Sequence, residues 1–512
     1  MSTQSDNNNK RIAKNTLFLY FRMILSMLVG LYTSRVVLQT LGVSDYGVYN
    51  VMGGVIGMLG YVNTLLAGGT SRFLTIGLGE RNFEKLKLTF STTVILTMFT
   101  ALLVLILGET VGLWFMNNYL NIEPSRMGAA QWVYQCALLS SALTITQSPF
   151  SASIISHEKM NIYAYMSIFD VVMKLLIVYM LLVFDYDKLI VYSILMLGVN
   201  FLNIVIYRAY CVHVFEECKF SLRFDRQIFR QMFSYSGWNM FGSLSALLMD
   251  QGVSIVINIF FGTIINAAKG VANQVNNVVR QLYSNFQLAA RPQIMKYYAQ
   301  GDFDNMYTLM INTSKYCALL LICIIVPIMV NIDGLLKLWL VEVPIYSVAF
   351  IRLTLLYTLF RSVDEPLTAG IHAVGKMKLP NLTTAMINML VFPVTWLVCK
   401  LGGSPITANI IFVVDAPIIL LIDLLILKKY INFPIVDFIK KSVVPVLLVF
   451  TLSFSLPTFL MLSLPHTALY SIGSCIASFL FTLCVIYFMA LPKSMKLKVK
   501  RIVMEKINNK KV

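Results

Sequence analysis

Long apolar runs, separated by short polar segments, recur along nearly the whole of this 512-residue chain. Each run is long enough for a transmembrane helix, because the hydrocarbon core of a bilayer takes about 20 helical residues to cross. Their continuity argues against barrel strands, in which apolar and polar residues alternate over about ten residues. The pattern predicts an all-α polytopic membrane protein with fourteen spans, at 14–38, 46–76, 88–113, 130–153, 162–184, 189–213, 231–261, 266–292, 307–332, 346–370, 380–400, 405–429, 440–461 and 468–490.

Basic residues divide the predicted loops into two sets. Lys85, Lys87, Arg226 and Arg230 lie in loops on one side, and more lysines follow the last span. The opposite loops carry few basic residues, beside acids such as Asp187. Because lysine and arginine are enriched in cytoplasmic loops, we expect both termini in the cytoplasm, which fits an even number of spans.

The composition limits the class of function. Hydrophobic residues make up 58% of the chain and charged residues 13%, whereas a soluble domain carries about 25% charged residues. The formal net charge of +17 follows from the cytoplasmic loops, so we expect no nucleic-acid binding. A near-match to a phosphate-binding loop, Gly370 to Lys376, has Met377 where the motif needs Ser or Thr for magnesium. We therefore predict no enzymatic activity, no cofactor and no metal site.

The first twelve predicted spans contain an internal duplication with an offset near 220 residues. Gly42 corresponds to Gly262, and Pro149 corresponds to Pro366. Because six spans separate the copies, both copies have the same orientation in the membrane. Such a parallel repeat predicts two pseudo-symmetric six-helix lobes around a central cavity, followed by two C-terminal helices.

The duplication also predicts how the chain is divided. The two C-terminal spans lie outside the repeat. The predicted segments are a cytoplasmic tail (1–13), an N-lobe (14–213), a cytoplasmic linker (214–230), a C-lobe (231–429), the two C-terminal spans (440–490) and a basic cytoplasmic tail (491–512).

Several charged residues fall inside predicted spans, where a basic residue near the helix centre costs about 2.5–3.5 kcal/mol to insert. Such residues are expected to face a water-filled cavity or a partner. The candidate substrate-binding residues of a cationic cavity are Arg22, Lys174, Arg280, Arg361, Asn273, Asn277 and Gln287. The candidate residues for coupling to H⁺ or Na⁺ are Asp250, Asp364 and Glu365.

Two lysines have simpler interpretations. Lys269 lies near the end of its predicted span, where its side chain could extend to the membrane interface. Lys174 follows Asp170 by one helical turn, so an ion pair within the helix is an open alternative to substrate binding.

A polar stripe along the eighth predicted span is the clearest functional signal. Asn273, Asn277, Arg280 and Gln287 recur at three- and four-residue spacing, which puts them on one helix face. We expect this face to point away from lipid. An excess of cations in the cavity favours an anionic substrate, and guanidinium groups bind phosphate through two parallel hydrogen bonds.

The N-terminal sequence resembles a known family. Residues 41–49 have the pattern L-G-x-x-x-Y-G-x-Y, and the segment GGTSRFLTIGLGERNFEKL follows. This sequence is similar to Wzx-type polysaccharide flippases, in the polysaccharide transporter family of the multidrug/oligosaccharidyl-lipid/polysaccharide (MOP) exporter superfamily. The similarity is strongest over residues 10–90 and extends through the duplicated spans.

The resemblance implies a flippase that moves an undecaprenyl-diphosphate-linked oligosaccharide from the cytoplasmic to the periplasmic leaflet of the bacterial inner membrane. The oligosaccharide would be an O-antigen, capsule or exopolysaccharide unit. The implied mechanism is alternating access with H⁺ or Na⁺ antiport, and Arg280 and Arg361 would be candidate diphosphate contacts. Implied partners are the lipid-linked oligosaccharide, the bilayer, a polysaccharide polymerase and other assembly proteins.

Two alternatives stay open. A cation-coupled multidrug exporter of the same superfamily would need an acidic or aromatic cavity, which the basic surplus disfavours. A membrane scaffold without transport activity would not need the polar stripe of the eighth span.

Overall fold

The computed structural model describes residues 2–60, 70, 73–74, 78, 83–157, 159–183, 186–219, 221, 223–376, 378–461, 468–492 and 496–497. The backbone around Arg22 is helical, but its side chain lies outside the described part of the structure. The role predicted for Arg22 therefore stays a prediction.

The described residues form long helices joined by short connections. Strands are absent from these residues, which confirms the all-α prediction. The helices are α1 (Ser2–Gly60), α2 (Phe83–Tyr119), α3 (Met127–Ser156), α4 (Met160–Val183), α5 (Lys188–Val214), α6 (Arg226–Ala299), α7 (Phe303–Trp339), α8 (Ser347–Val374), α9 (Lys378–Lys400), α10 (Pro405–Ile431), α11 (Val444–Met461) and α12 (Ala468–Val485). Short helical turns at Pro124–Arg126, Glu216–Cys218, Ile435–Phe438, Ile439–Val443 and Ile486–Ala490 flank them.

Helix α6 contains two predicted spans, and α1 contains the first span and the second span as far as Gly60. Most of 61–76 lies outside the described residues. Helix α1 has a kink at Gly42, with φ 79° and ψ 169°. Helix α6 has the matching kink at Gly262, with φ 80° and ψ −174°. This backbone conformation is essentially restricted to glycine, because a Cβ would meet the neighbouring carbonyl. The fourteen predicted spans thus correspond to twelve helices, since the first and seventh connections are each reduced to one glycine.

The duplication is visible in the helix bounds. Helices α2 and α7 both contain 37 residues, from Phe83 and from Phe303. Helices α3 and α8 follow in the same order, and each has a proline in its interior, Pro149 and Pro366. The lengths and irregularities recur in register, as the parallel repeat predicts.

The surfaces of several helices suit a bilayer. Among the described residues, nine helices are long and apolar enough to cross a membrane. On α2, Phe99, Leu102 and Ile106 are more than half exposed and share one helix face. A contiguous apolar surface of this kind would be unfavourable in water, so lipid is its natural environment.

The chain divides into two compact units. Unit 1 contains Met1–Val271, Pro344–Tyr346 and Asn381–Ile411, and unit 2 contains the rest. In unit 1, Met52, Tyr134 and Ile145 belong to a buried core between α1, α2 and α3. The lobe boundaries expected from the duplication stay a prediction, and the two units are described separately below.

Candidate functional site

Within unit 2, the polar stripe of α6 runs along α8. Gln287 donates from Nε2 to the main-chain carbonyl oxygen of Ser362 at 3.1 Å. One turn further along α6, Nη2 of Arg291 lies 3.0 Å from Oε1 of Glu365. At the other end, the Thr358 hydroxyl is hydrogen-bonded to the side chain of Asn276. The predicted polar face therefore packs against a second helix that carries matching polar groups.

The residues predicted on this stripe occupy different environments. Gln287 is buried, with 3% of its surface exposed. Asn273 is half-buried, whereas Asn277 and Arg280 are exposed. Arg280 has no ion-pair partner within the part of the chain that the structure describes. Gln287 thus connects α6 to α8, and the Arg280 guanidinium stays available to bind a ligand.

The other candidate arginine of unit 2 is neutralised inside the protein. Nη1 of Arg361 lies 2.7 Å from Oδ2 of Asp364, one turn along α8. The Asp364 side chain is fully buried, where an unpaired carboxylate would be strongly unfavourable. Asp364 was predicted to couple an ion and Arg361 to bind substrate, and the two residues form one ion pair.

Two further carboxylates from α10 join this pair. Asp423 lies close to Asp364, and the Thr368 hydroxyl donates to Asp423 at 3.4 Å. Asp415 is 2% exposed, and neither of its carboxylate oxygens has a hydrogen-bond partner among the described residues. Asp364 and Asp423 each keep one unpartnered oxygen as well. We call Asp364, Asp415 and Asp423 the acidic cluster.

Sequence reasoning missed Asp415 and Asp423. Both lie in the middle of a strongly apolar span, and an acid at such a depth is itself a signal of function. The acidic cluster holds three carboxylates beside the single guanidinium of Arg361. Burial makes this excess of negative charge costly, so a proton or a small cation bound there would stabilise the cluster. No group of three acidic, histidine or cysteine side chains arranged to hold a metal ion is found among the described residues.

Unit 1 contains a buried lysine where the sequence predicted an interfacial one. Lys269 is only 2% exposed, and its Nζ atom donates to Oδ1 of Asn409 at 3.2 Å. The carboxylate of Asp250 lies within electrostatic range of Lys269. The expectation that Lys269 reaches the membrane interface is wrong. Lys269 lies near the start of the predicted span 266–292, but helix α6 begins well before this span. The Lys269 side chain therefore packs inside the protein instead of reaching the interface.

The predicted ion-coupling residues therefore belong to separate environments. Asp250 is half-buried in unit 1, where Gln251 donates to it at 3.4 Å. Asp364 and Glu365 belong to unit 2, and Glu365 is paired with Arg291. Of these three carboxylates, Asp364 is the one that belongs to the acidic cluster.

A cavity of about 540 Å³ lies among α1, α3, α4 and α5 of unit 1. Lys174 and Asp170 line it and form an ion pair, with Nζ and Oδ2 2.7 Å apart. Nδ2 of Asn203 donates to Asp170 at 3.2 Å. Lys174 thus forms the helical ion pair that the sequence left open, and it faces a cavity as well.

Known proteins were compared by sequence and by structure. No protein-family model matches this chain, and no curated protein matches its sequence. The structure is similar to that of the lipid II flippase MurJ in an inward closed conformation, with a TM-score of 0.65 and 12% identity. That similarity covers 93% of this chain and 99% of MurJ.

Multidrug transporters have a similar structure. An inward-facing multidrug resistance MATE family transporter of the MOP superfamily matches with a TM-score of 0.63 and 12% identity, over 80% of this chain and 94% of that transporter. A MATE protein in the straight conformation matches with a TM-score of 0.57 and 14% identity, over 82% of this chain and 96% of its own. The chain therefore has the two-lobe, all-α fold of MOP-superfamily membrane transporters.

Proposed function

We propose that this protein is a flippase for a lipid-linked oligosaccharide. The substrate is an undecaprenyl-diphosphate-linked glycan destined for O-antigen, capsule or exopolysaccharide. It moves from the cytoplasmic to the periplasmic leaflet of the bacterial inner membrane by alternating access, without covalent chemistry. Both termini of the flippase are cytoplasmic in this proposal.

The observation that carries the proposal is the exposed Arg280 guanidinium on a transmembrane helix. A cation at this depth is costly unless it meets water or an anionic ligand, and its planar fork fits a diphosphate. Asn277 lies one turn before Arg280 and is also exposed, so it can donate a further hydrogen bond to the same anion. Arg361 is the weaker phosphate candidate, because Asp364 already pairs with it.

The acidic cluster supports a proton as the coupling ion. A proton can be shared by Asp364 and Asp423, whose carboxyl groups lie close together. The unpartnered oxygens of Asp415 can accept a second one. Proton uptake would lower the negative charge beside Arg361 and strengthen its attraction for a phosphate, which links the ion to the substrate.

A multidrug exporter is the second candidate. The acidic cluster favours it, because buried carboxylates attract organic cations, and the MATE transporters share the fold. It predicts that cells producing the protein resist cationic dyes. The flippase predicts unchanged dye resistance together with loss of surface polysaccharide when the protein is absent.

The deciding experiment follows lipid-linked glycan in a deletion strain, in sealed membrane vesicles of known orientation. We expect diphosphate-linked glycan to accumulate on the cytoplasmic leaflet and the wild-type gene to restore its transfer. Arg280→Ala should fail to restore transfer at normal membrane abundance. Arg280→Lys should restore it in part, because lysine keeps the positive charge but lacks the planar pair of hydrogen-bond donors.

The matched control is Arg223→Ala. Arg223 is an exposed arginine paired with Glu84 at 3.3 Å, outside the predicted spans, and its loss should leave transfer unchanged. Wild-type transfer by Arg280→Ala would remove Arg280 from the site. Normal delivery of glycan in the deletion strain, with no second transporter present, would exclude the flippase.

A further inference from the structure

The unit 1 cavity has the size and shape of a ligand site rather than a packing defect. Its volume of about 540 Å³ lies within the range of about 300–1,000 Å³ typical of small-molecule pockets. Helices α3 and α5 contribute most of its wall, α1 adds Tyr49, Gly53 and Ile56, and α4 adds Asp170 and Lys174. The cavity is partly open, so water or a ligand can enter it.

The charges in this cavity are balanced. Lys174 and Asp170 form an ion pair, with Nζ and Oδ2 2.7 Å apart. Asn203 donates a hydrogen bond to the other carboxylate oxygen of Asp170. A diphosphate would need an unpaired cation in the wall, and an organic cation would need an unpaired carboxylate. The wall offers neither charge, so the cavity suits an uncharged ligand.

Hydroxyl and amide groups line part of the cavity. Ser140, Ser141 and Thr144 come from consecutive turns of α3, and Ser193 and Asn200 come from α5. The Asn200 amide donates to the Ser140 carbonyl oxygen at 3.0 Å and to the Thr144 hydroxyl at 3.1 Å, so these groups are held in fixed positions. The hydroxyl of Ser141 makes no hydrogen bond to any described residue.

The rest of the cavity wall is apolar and aromatic. Val133, Ala137 and Met196 line it. The Tyr49 ring also faces the cavity and is fixed by an edge contact with Tyr192, with ring centroids 5.0 Å apart. A sugar ring has the matching chemistry, because its hydroxyl edge forms hydrogen bonds while its C–H face packs on apolar and aromatic groups.

We infer that the unit 1 cavity binds an uncharged sugar residue. The inference rests on the proposed function in naming the glycan of the lipid-linked substrate as the source of that sugar. It assigns sugar recognition to Ser141 and Asn200, in a site that takes no phosphate. Selection of the glycan is then separate from binding of its diphosphate.

Protection of an introduced thiol tests this assignment in the full-length purified protein. Cys484, an exposed thiol, and Cys136, a native thiol that lines the cavity, are replaced by serine. Ser141→Cys then places a maleimide-reactive group in the cavity. The probe is the mixture of neutral oligosaccharides released by mild acid from the surface polysaccharide of the source strain. At ten times the dissociation constant, the oligosaccharides should slow labelling about tenfold. Adding Asn200→Ala should abolish that protection.

Matched controls separate binding from non-specific effects. Ser125→Cys introduces a thiol at an exposed position outside the cavity, and its labelling rate should not change with sugar. Undecaprenyl diphosphate without sugar, and the organic cation ethidium, should leave Ser141→Cys unprotected. Equal protection by either of these probes, or no protection by the oligosaccharides, would overturn the assignment.

The leaflet assay makes the two proposals separable. Glycan transfer without protection of Ser141→Cys by oligosaccharide means that the flippase stands and the sugar site fails. Protection without any glycan transfer means that the sugar site stands and the proposed flippase fails.

Discussion

Arg126 and Asp187 form a close ion pair, with Nη1 and Oδ2 2.6 Å apart. Asp187 also accepts hydrogen bonds from the backbone of Leu189 and Ile190, which begin α5. The same guanidinium binds Asp45 of α1 at 2.5 Å. One arginine at the start of α3 therefore connects three helices at one end of unit 1.

This contact predicts a loss of stability in acid. The Arg126 hydrogen bond lowers the pKa of Asp187 below its ordinary value of 3.8, so the ionised form stabilises the fold at neutral pH. That contribution is present above pH 3.8 and is lost as the pH falls through the lower, folded-state pKa. Asp187→Asn should cost about 0.5–1 kcal/mol at pH 7, measured by thermal unfolding in detergent. The difference from wild type should disappear in strong acid.

Asparagine is the informative substitution because it still caps a helix N-terminus. Asp437→Asn is the control, since Asp437 pairs with Lys441 in an exposed position and its loss should change stability little. An equal effect of both variants would show that charge in general, rather than this contact, determines the result.

Gly47 allows α1 to approach α6 closely. A Cβ on Gly47 would overlap the carbonyl group of Thr263, which directly follows the kink glycine of α6. We expect Gly47→Ala to cost about 1–3 kcal/mol, because backbone cannot move aside as a side chain can. Gly198→Ala meets no atom within 4 Å, so it should be neutral or slightly stabilising in the same unfolding measurement.

Gly42 tests backbone conformation alone. It has open space around its Cβ direction but a φ of 79°. Gly42→Ala should therefore destabilise by about 1–3 kcal/mol through backbone strain, without a steric clash. A stability equal to that of wild type would mean that α1 is straight or differently bent in the membrane.

The acidic cluster predicts loss of coupling without loss of fold. Asp415→Asn replaces a buried carboxylate with a neutral group of the same shape. Glycan transfer in vesicles should lose its dependence on an imposed pH gradient, while Asp437→Asn should keep it. Gradient-dependent transfer at the wild-type rate by both Asp415→Asn and Asp423→Asn would exclude the cluster as the proton site.

Much of the fold could be predicted from the sequence, because membrane insertion leaves a strong hydrophobic signal. The pairing of Gly42 with Gly262 was also predictable, and both glycines adopt the same unusual conformation. Side-chain environments were not predictable in this way. Lys269 packs inward although it lies near a span end, since the rotation of a helix against its neighbours depends on tertiary contacts.

The candidate site was predicted in part. The spacing of Gln287 placed it on a polar face, which packs against α8. Asp415 and Asp423 were overlooked although other acids within spans were considered, and two acids inside one apolar span are as costly as buried cations. Which carboxylate meets Asp364 could not be known, because that contact joins helices far apart in the sequence.

Two of the interhelical joints have no loop at all. At Gly42 and Gly262, one helical arm passes directly into the next through a single residue. A flexible loop distributes a displacement over several residues, whereas at these joints it falls on the φ and ψ angles of one glycine. A rotation of one arm against the other must therefore be taken up at Gly42 or Gly262, in each half of the chain.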